Sequence, residues 1–494
     1  MTPSAVRRSA LYAATLVVVV LGVVVRADSL DASLWLDEFG TFWVVQGGFM
    51  SMLRRCWDFQ GQSPLYYALP WLSIQIFGES EIALRLPSIA LTCLTVGILY
   101  VCGRGLSGWK TGVIAASLFW LSTVGVQNSV SARPYALVLF TVAVAIAGFL
   151  WAVRSGDLRG RIVWIVGGAA VAWAHYVQYP IVIGLFVAYG LFRPLRLRYS
   201  VRQFVMDAFA QWALVALCLP QILALFARRD TISWLDQWNH LVVLQPVIAL
   251  SVGLLTGCIQ LWARRDITSL ERALQGTLLV CLLVQVAALE AAALVGMNLL
   301  SPRYFVSIVI PSVLFVSVTV NRARTGEVRV AILASFLVVT GALFIASKTA
   351  TGSFSGSTFQ DWRGAIADLT TRIRDEREPL VQYRSGFVEE DAMPLGHPPP
   401  ADFAPLRSPG RPAFPVEVVP LNFRWAHPHR SAYFEQRLAP RVDPKSRFYA
   451  IGTGSYMDGF VEWVESQWPG RYRLRRTYYG DVQLLQFEAL HPGG

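Results

Sequence analysis

The chain has 494 residues, of which 54% are hydrophobic and only 15% are charged. Soluble globular domains carry about 25% charged residues, so this composition excludes an ordinary soluble enzyme and indicates a membrane protein. The formal net charge of +11 does not indicate a nucleic-acid partner, because the arginines recur in short segments between apolar runs, where they set membrane topology.

Apolar runs recur along the chain as far as Lys348, after which the composition turns polar and no spanning run follows. A bilayer crossing needs about 20 apolar residues. The sequence therefore predicts a membrane domain at 1–348 and a smaller domain at 349–494. The predicted spans, eleven in number, lie near 8–25, 83–103, 111–129, 134–152, 162–174, 180–192, 204–225, 243–262, 272–295, 303–320 and 329–347.

The first run follows Arg7 and Arg8 and could be read as a signal peptide. No clean small-x-small cleavage site follows it, so we interpret it as a retained span. With an inner N-terminus, arginine clusters such as 193–202 fall on the cytoplasmic side and few arginines fall in the outer loops, which is the positive-inside pattern.

Two segments are ambiguous. Residues 64–78 would cover only about 22 Å as a helix, and we interpret them as an interfacial helix in the first outer loop. Residues 162–192 could form one long helix, but that would turn the next arginine cluster outward, so we interpret them as two short spans broken at "HYVQYP". This count predicts that the C-terminal domain lies outside, on the same side as loop 26–82.

Unusual polar and aromatic residues collect on the predicted outer face. They are Asp37, Glu38, Arg85, Arg133, Tyr135, His175, Tyr176, Glu290, Arg303 and Tyr304. Each has a simpler interpretation: the arginines could snorkel to headgroups, the histidine could be a turn residue, Glu290 could pair with an arginine, and the two adjacent acids could cap a helix. Ionisable groups at membrane depth usually face a cavity or a partner, so their shared face favours one site.

Acids and arginines at this surface suit transfer of a sugar from a lipid phosphate. A carboxylate can accept the proton of an attacking hydroxyl, and arginines can hold a phosphate. Phosphate is a good leaving group, so one base would suffice for a direct, inverting displacement, unlike the paired carboxyl groups of glycoside hydrolases. Adjacent residues of a helix point about 100° apart. We therefore predict that Asp37 is the base and that Glu38 has a separate, orienting role.

Six motifs occur in order through residues 33–370: "LWLDEFGTFW", "SPLYYALPWLSIQIFGESEIALRLPSIALTCLTVGILYVCGRGL", "SARPYAL", "HYVQYP", "SPRYF" and "DWRGAIADL". Together they resemble bacterial glycosyltransferase family 39, which includes the RgtA/B/C/D-like and protein-mannosyltransferase-like enzymes of the GT-C fold. The resemblance implies an integral-membrane transferase that uses a polyprenyl-phosphate sugar, acts at the outer face and inverts the anomeric carbon.

The resemblance also assigns residues. The acid of the first outer loop corresponds to Asp37, the arginine-tyrosine pair of a late helix to Arg303 and Tyr304, and the histidine of the central turn to His175. This chain departs from its relatives at Gln62, where a histidine is common, and at Ser131, where many have an acid. No cofactor and no metal ligands are indicated, and a divalent metal is left open.

The predicted protein is a polytopic α-helical protein of the plasma membrane, with interfacial helices in its first outer loop and an extracytoplasmic α/β domain. Its predicted partners are a polyprenyl-phosphate sugar donor, an envelope acceptor (lipid, polysaccharide or protein) and membrane lipid, with no nucleic acid. The alternatives are a transporter or flippase of lipid-linked glycans, which would need sites on both faces, and a catalytically inactive glycan-binding relative.

The C-terminal part reads as a small α/β domain. "TFQDWRGAIADLTTRIRDEREPLVQYRS" predicts a helix and then a strand, "SRFYAIG" a strand, and "DGFVEWVESQW" a helix with an apolar stripe. "RYRLRRTYYGDVQLLQFEAL" predicts a hairpin around Gly480-Asp481. Residues 393–420 are Pro-rich and are expected to be irregular. The histidines His397, His427, His429 and His491 show no ligand pattern and are expected on the surface or in loops.

Overall fold

A computed structural model of the chain describes residues 3–57, 63–227, 245–263, 268–295, 297, 299–354, 360–373, 380–383, 418–421, 435, 439–440, 442, 447–454 and 456–490. The α-helices are α1 Pro3–Leu30, α2 Leu36–Val45, α3 Phe49–Arg55, α4 Pro64–Phe77, α5 Glu81–Ser107, α6 Trp109–Leu121, α7 Thr123–Ser129, α8 Tyr135–Ser155, α9 Leu158–His175, α10 Pro180–Leu191, α11 Arg193–Arg198, α12 Val201–Ala216, α13 Leu219–Ala227, α14 Ser251–Ala263, α15 Ser269–Leu294, α16 Val309–Arg322, α17 Gly326–Thr351, α18 Trp362–Arg372 and α19 Tyr456–Gln467.

Short 3₁₀ helices occupy Tyr176–Gln178, Gln245–Leu250, Pro302–Tyr304 and Val306–Ile308. The strands are β1 Leu380–Tyr383, β2 Val418–Leu421, β3 Phe448–Thr453, β4 Tyr472–Tyr479 and β5 Val482–Ala489. Over their described residues, all eleven predicted spans coincide with a helix or with consecutive helices.

The length and composition of the helices fit a membrane protein. Among the described residues, four helices are long and apolar enough to cross a bilayer alone, namely α5, α8, α15 and α17. The pair α6 and α7, bent by 61°, makes a fifth if it is one span. The predicted break at "HYVQYP" is confirmed, because α9 ends at His175, a 3₁₀ turn follows, and α10 begins at Pro180.

The chain divides into two compact units. The first comprises 1–28, 61–66 and 85–347, and the second comprises 29–60, 67–84 and 348–494. The second unit thus combines most of the first predicted outer loop with the C-terminal part, which joins this unit from Lys348 onward. Asp37 and Glu38 belong to the second unit, and the other predicted site residues belong to the first.

Helices α8 and α9 form an antiparallel pair in the first unit. Small residues allow their backbones to approach closely: a Cβ at Gly148 would lie 2.3 Å from the backbone nitrogen of Trp164, and one at Gly167 would lie 2.9 Å from that of Ala145. Small residues at such contacts are typical of helices packed in membranes. The pairing brings the start of α8 and the end of α9 to the same end of the unit.

At the opposite ends of these helices, Arg161 donates two hydrogen bonds to Asp207, at 2.6 and 2.7 Å. The Tyr199 hydroxyl donates to the same carboxylate. Asp207 is not one of the predicted site residues, and its pairing with Arg161 explains why a carboxylate is buried there.

The sheet of the second unit has the strand order β2-β1-β3-β5-β4. Strand β1 pairs in parallel with β2 and β3, whereas β5 is antiparallel to both β3 and β4. Its core includes Phe448, Phe460 and Phe487, with α19 packed against one face. The Phe448 and Phe487 rings stack with centroids 4.4 Å apart.

The element predictions for the C-terminal part are confirmed for α18, β1, β3, α19 and the β4–β5 hairpin, whose turn contains Gly480 with φ +62°. The prediction of irregular structure over 393–420 is wrong for residues 418–420, which lie in β2. Four residues with one Pro gave too short an apolar run to signal a strand, and pairing with β1 creates it. The other residues of 393–420, the four histidines named above and Gln62 lie outside the described residues.

Candidate active site

In the first unit, four predicted site residues form a cluster of rings around His175. The imidazole stacks on Tyr135, with ring centroids 6.0 Å apart and an interplanar angle of 24°. The Tyr304 ring lies edge-on at 5.7 Å, and the Tyr176 ring lies at 5.7 Å. We call Tyr135, His175, Tyr176 and Tyr304 the ring cluster. Residues from three separate motifs thus meet, as their common predicted face required.

The helix boundaries explain why these residues meet. Tyr135 is the first residue of α8, and His175 is the last residue of α9, so the antiparallel pair puts them side by side. The 3₁₀ turn Pro302–Tyr304 supplies the third ring. Tyr135, His175 and Tyr304 are all buried, and the Nδ1 atom of His175 has no hydrogen-bond partner among the described residues.

Two arginines contribute positive charge to the ring cluster. The charges of Arg133 and Arg303 both act on His175. Arg133 is buried, whereas Arg303 is partly exposed and donates through Nε to the Ser301 hydroxyl at 3.2 Å. Two guanidinium charges that act on one buried imidazole favour an anionic ligand, because a guanidinium can bind phosphate with two hydrogen bonds in a fixed geometry.

Two buried glutamines hold this region together. Neither was among the predicted site residues, although Gln178 lies within the motif "HYVQYP". The amide of Gln178 donates to the carbonyl oxygen of Arg303 at 3.0 Å. The amide of Gln285 donates at 3.2 Å to the carbonyl oxygens of Val177 and Tyr304. Both glutamines are fully buried. They therefore tie the turn after α9 to the residues that carry Arg303 and Tyr304.

Arg85 and Glu290 lie in the same unit as the ring cluster. Arg85 is fully buried near the start of α5, and Glu290 is partly buried near the end of α15. One turn beyond Arg85, the Ser88 hydroxyl donates to the carbonyl oxygen of Ser131 at 2.7 Å. This bond connects α5 to the segment that leads to Arg133, so Arg85 belongs to an element fixed against that segment.

In the second unit, Asp37 and Glu38 lie in the first turn of α2. Glu38 is fully buried and its Oε2 accepts a hydrogen bond from the Trp35 backbone N–H at 3.4 Å, whereas Asp37 is partly exposed. Glu38 thus satisfies one of the backbone donors that a helix N-terminus leaves unpaired. The two acids have different surroundings, and Asp37 is the more accessible.

The other end of α2 is held by Arg55. Its guanidinium donates to the carbonyl oxygens of Trp43 and Gln46, at 2.5 and 3.1 Å, and lies 4.6 Å from the centre of the Trp43 ring. A cation at a helix C-terminus and acids at its N-terminus both complement the helix dipole. Among the described residues, no group of three or more His, Cys, Asp or Glu side chains could hold a metal ion.

Comparisons with known proteins bear on this arrangement. Residues 61–228 match the family model for dolichyl-phosphate-mannose-protein mannosyltransferase. ArnT from Cupriavidus metallidurans, solved with undecaprenyl phosphate bound, is similar with a TM-score of 0.55 and 12% identity over 95% of this chain and 97% of that chain. AglB, an oligosaccharyltransferase from Archaeoglobus fulgidus solved with an inhibitory peptide and a dolichol-phosphate, is similar with a TM-score of 0.50 and 11% identity over 98% of this chain and 74% of that chain. The chain has the GT-C glycosyltransferase fold. No curated protein matches the sequence.

The GT-C fold confirms the fold class expected from the six motifs, and with it a membrane protein with a small C-terminal α/β domain. The family match spans the segment from α4 to α13, which carries Arg85, Arg133, Tyr135, His175 and Tyr176. The match is thus to a transferase family, and it covers the part of this GT-C chain that supplies half of the predicted site residues. Their roles remain predictions.

Proposed function

We propose that this GT-C-fold chain transfers a sugar from a polyprenyl-phosphate donor to a cell-envelope acceptor at the outer face of the plasma membrane. The observation that carries the proposal is the ring cluster with Arg133 and Arg303. It combines two guanidinium groups, a buried imidazole and three tyrosine rings in one unit. A lipid-linked phosphate needs such a mixture of positive charge and apolar surface.

The donor phosphate is proposed to bind Arg303 and His175. A hydrogen bond to a charged group is worth about 1.5–3 kcal/mol, more than a neutral one, because the charge strengthens the interaction in a buried site. The two similar structures contain lipid phosphates, undecaprenyl phosphate in ArnT and dolichol-phosphate in AglB. That likeness supports the same class of ligand for this chain.

The proposed reaction is a single displacement. The acceptor hydroxyl oxygen attacks the anomeric carbon while the bond from that carbon to the phosphate oxygen breaks, and the bonding electrons leave with the phosphate. Asp37 accepts the hydroxyl proton, and attack opposite the leaving group inverts the anomeric carbon. Arg303 stabilises the phosphate as its charge grows. Glu38, which is buried and bonded to Trp35, keeps the first turn of α2 in shape.

Replacement of Arg303 tests the donor site directly. We expect Arg303→Ala to weaken binding of undecaprenyl phosphate to the purified protein about ten- to hundredfold, because each 1.4 kcal/mol is one decade in affinity. Arg303→Lys should restore only part of it, since an ammonium lacks the planar fork of a guanidinium. The measurement is the dissociation constant of the lipid, obtained by titrating the purified protein in detergent micelles.

Arg198→Ala is the matched control, because Arg198 is an exposed arginine in α11 of the same unit and outside the ring cluster. It should leave lipid affinity unchanged. Equal lipid affinity in the wild type, Arg303→Ala and Arg303→Lys would show that Arg303 only reaches toward headgroups, and the proposed phosphate site would be wrong.

A further inference from the structure

The motif "DWRGAIADL" begins at Asp361, directly after Gln360, and the proposed reaction assigns no role to it. It lies in the second unit, as does the α2 segment, although about 320 residues separate them in sequence. We infer that Gln360 and Arg363 are positioning residues that fix the first turn of α2 and thereby aim Asp37. The inference rests on the proposed role of Asp37 as the base.

Gln360 contacts α2 at its first residue. Its Oε1 accepts a hydrogen bond from the Leu36 backbone N–H at 3.0 Å and one from the Trp362 indole at 3.1 Å. Leu36 precedes Asp37 directly, and its N–H is one of the donors that the helix itself leaves unpaired. A side chain from the C-terminal part therefore satisfies the backbone donor of the first helical residue, since the Trp35 side chain has no acceptor and offers no capping bond to this helix.

Contacts with the β4–β5 hairpin hold Gln360 in place. Its side chain also hydrogen-bonds the Asp481 carboxylate, and its backbone forms an antiparallel bridge with Gly480 in the turn of the β4–β5 hairpin. The next residue adds a backbone bond, since the Asp361 N–H donates to the Tyr479 carbonyl oxygen at 3.2 Å. The amide group of Gln360 is thus bonded at both of its ends, which fixes its orientation toward Leu36.

Arg363 holds the residues that lead into α2. Its backbone N–H donates to the Ser33 hydroxyl at 3.1 Å, and its guanidinium donates to the Asp31 carbonyl oxygen at 2.8 Å. The same guanidinium pairs with Glu81 at 2.7 Å and lies 3.5 Å from the Asp31 carboxylate. One arginine therefore joins the chain before α2 to the first residue of α5.

A contact between two aromatic rings also holds α2 in place. The Trp362 ring meets the Phe39 ring edge-on, with centroids 5.9 Å apart. Trp362 is fully buried and Phe39 is 2% exposed. The contacts at Leu36 and Phe39 bracket Asp37, so α2 cannot roll about its axis without breaking one of them. Displacement of a reacting group by about 1 Å can cost a hundredfold in rate, so this bracketing bears on catalysis.

The test compares Gln360→Ala and Arg363→Ala with Arg372→Ala in the full-length protein. Arg372 is an arginine of the same helix, ion-paired with Asp368 and bonded to Thr477 at 3.0 Å, contacts that stay within the C-terminal part. Hydrogen exchange of peptides covering 33–45 should rise in the first two variants and stay at the wild-type rate in Arg372→Ala. Arg363→Lys, which keeps the charge, should restore much of the protection and serves if the alanine variant fails to fold.

Activity is measured as the rate at which an envelope glycan, lost when the protein is deleted, reappears after induction of each variant at equal protein level. Arg363→Ala and Gln360→Ala should lower this rate about tenfold or more, while the affinity for undecaprenyl phosphate stays unchanged. In an Asp37→Asn background neither should lower it further, because a positioning residue acts through Asp37.

The inference would be overturned if hydrogen exchange of peptides covering 33–45 were unchanged in Gln360→Ala and Arg363→Ala. It would also be overturned if either substitution lowered the rate further in the Asp37→Asn background. Failure of the proposed function gives a different pattern. If Asp37→Asn alone left the rate normal while exchange rose in Arg363→Ala, Asp37 would not be the base, and the catalytic part of the inference would fall with it.

Discussion

The ring cluster and the first turn of α2 are held in place by different kinds of interaction. The ring cluster is fixed inside a helical unit by helix packing and by two buried amides that reach backbone carbonyls. The first turn of α2 is fixed by side chains that arrive from the far end of the chain. The first arrangement suits the proposed phosphate site, and the second suits the proposed base, whose direction would matter for proton transfer.

This difference predicts that variants in the two regions have separable effects. Changes near the ring cluster should alter affinity for the lipid phosphate. Changes around α2 should alter the rate of transfer and leave that affinity alone. A variant that altered both equally would contradict the separation.

The largest effect is expected at Asp37. Asp37→Asn keeps the shape of the side chain but removes the proposed base, and loss of a general base typically costs about 10²–10⁴ in rate. The rate of glycan reappearance after induction should fall by that factor. Affinity for undecaprenyl phosphate should not change.

Glu38→Gln is the natural control because it alters the adjacent carboxylate. Glu38 is buried and caps Trp35, and glutamine can still accept that hydrogen bond, so the rate should fall only about tenfold. A near-normal rate in Asp37→Asn together with a lost rate in Glu38→Gln would exchange the two roles. Normal rates in both would make the acids helix caps alone.

A smaller effect is expected from Gln285→Leu. The substitution removes two hydrogen bonds that join the carbonyl oxygens of Val177 and Tyr304, and each such bond is worth about 0.5–1.5 kcal/mol. The ring cluster should loosen, and affinity for undecaprenyl phosphate should fall about tenfold. The rate at saturating donor should stay near the wild-type value.

Gln275→Leu is the matched control, since Gln275 is also a buried glutamine of α15 and lies about 15 Å of helical rise before Gln285. Its lipid affinity should equal that of the wild type. A lower transfer rate in Gln285→Leu with unchanged lipid affinity would mean that Gln285 supports catalysis and not lipid binding.

The residues of the ring cluster were easier to predict from the sequence than the contacts that hold α2 in place. Tyr135 and His175 could be paired from sequence because apolar runs fix helix ends and consecutive helices are usually neighbours. The contacts of Gln285 and Gln360 could not be predicted from the sequence. A buried amide leaves no periodic signal, and its partner can be a backbone group anywhere in the chain. The motif containing Arg363 was visible in the sequence, but its contacts with Ser33 and Glu81 depend on a fold that joins distant segments.

The smallest effect concerns Asp481, which bonds Gln360 at the hairpin turn. Burial raises the pKa of Asp481 above its ordinary value, and the hydrogen bond from Gln360 opposes that rise. A carboxyl group whose pKa is raised by folding favours the folded state below about pH 4, where both states are protonated. That contribution is lost as the pH rises through the folded pKa, so at neutral pH the ionised carboxylate destabilises the domain.

Asp481→Asn should therefore raise the thermal unfolding midpoint of the full-length protein at pH 7.5, and the gain should shrink toward pH 4. Asn still accepts the bond from Gln360, so α2 stays aimed and the transfer rate should not change. Asp458→Asn is the control, because it removes a carboxylate that is paired with Arg476 and 54% exposed, and it should not raise the midpoint. A stabilised Asp481→Asn protein with a reduced transfer rate would contradict this expectation. It would mean that the negative charge of Asp481, and not the hydrogen bond alone, orients Gln360 and thereby Asp37.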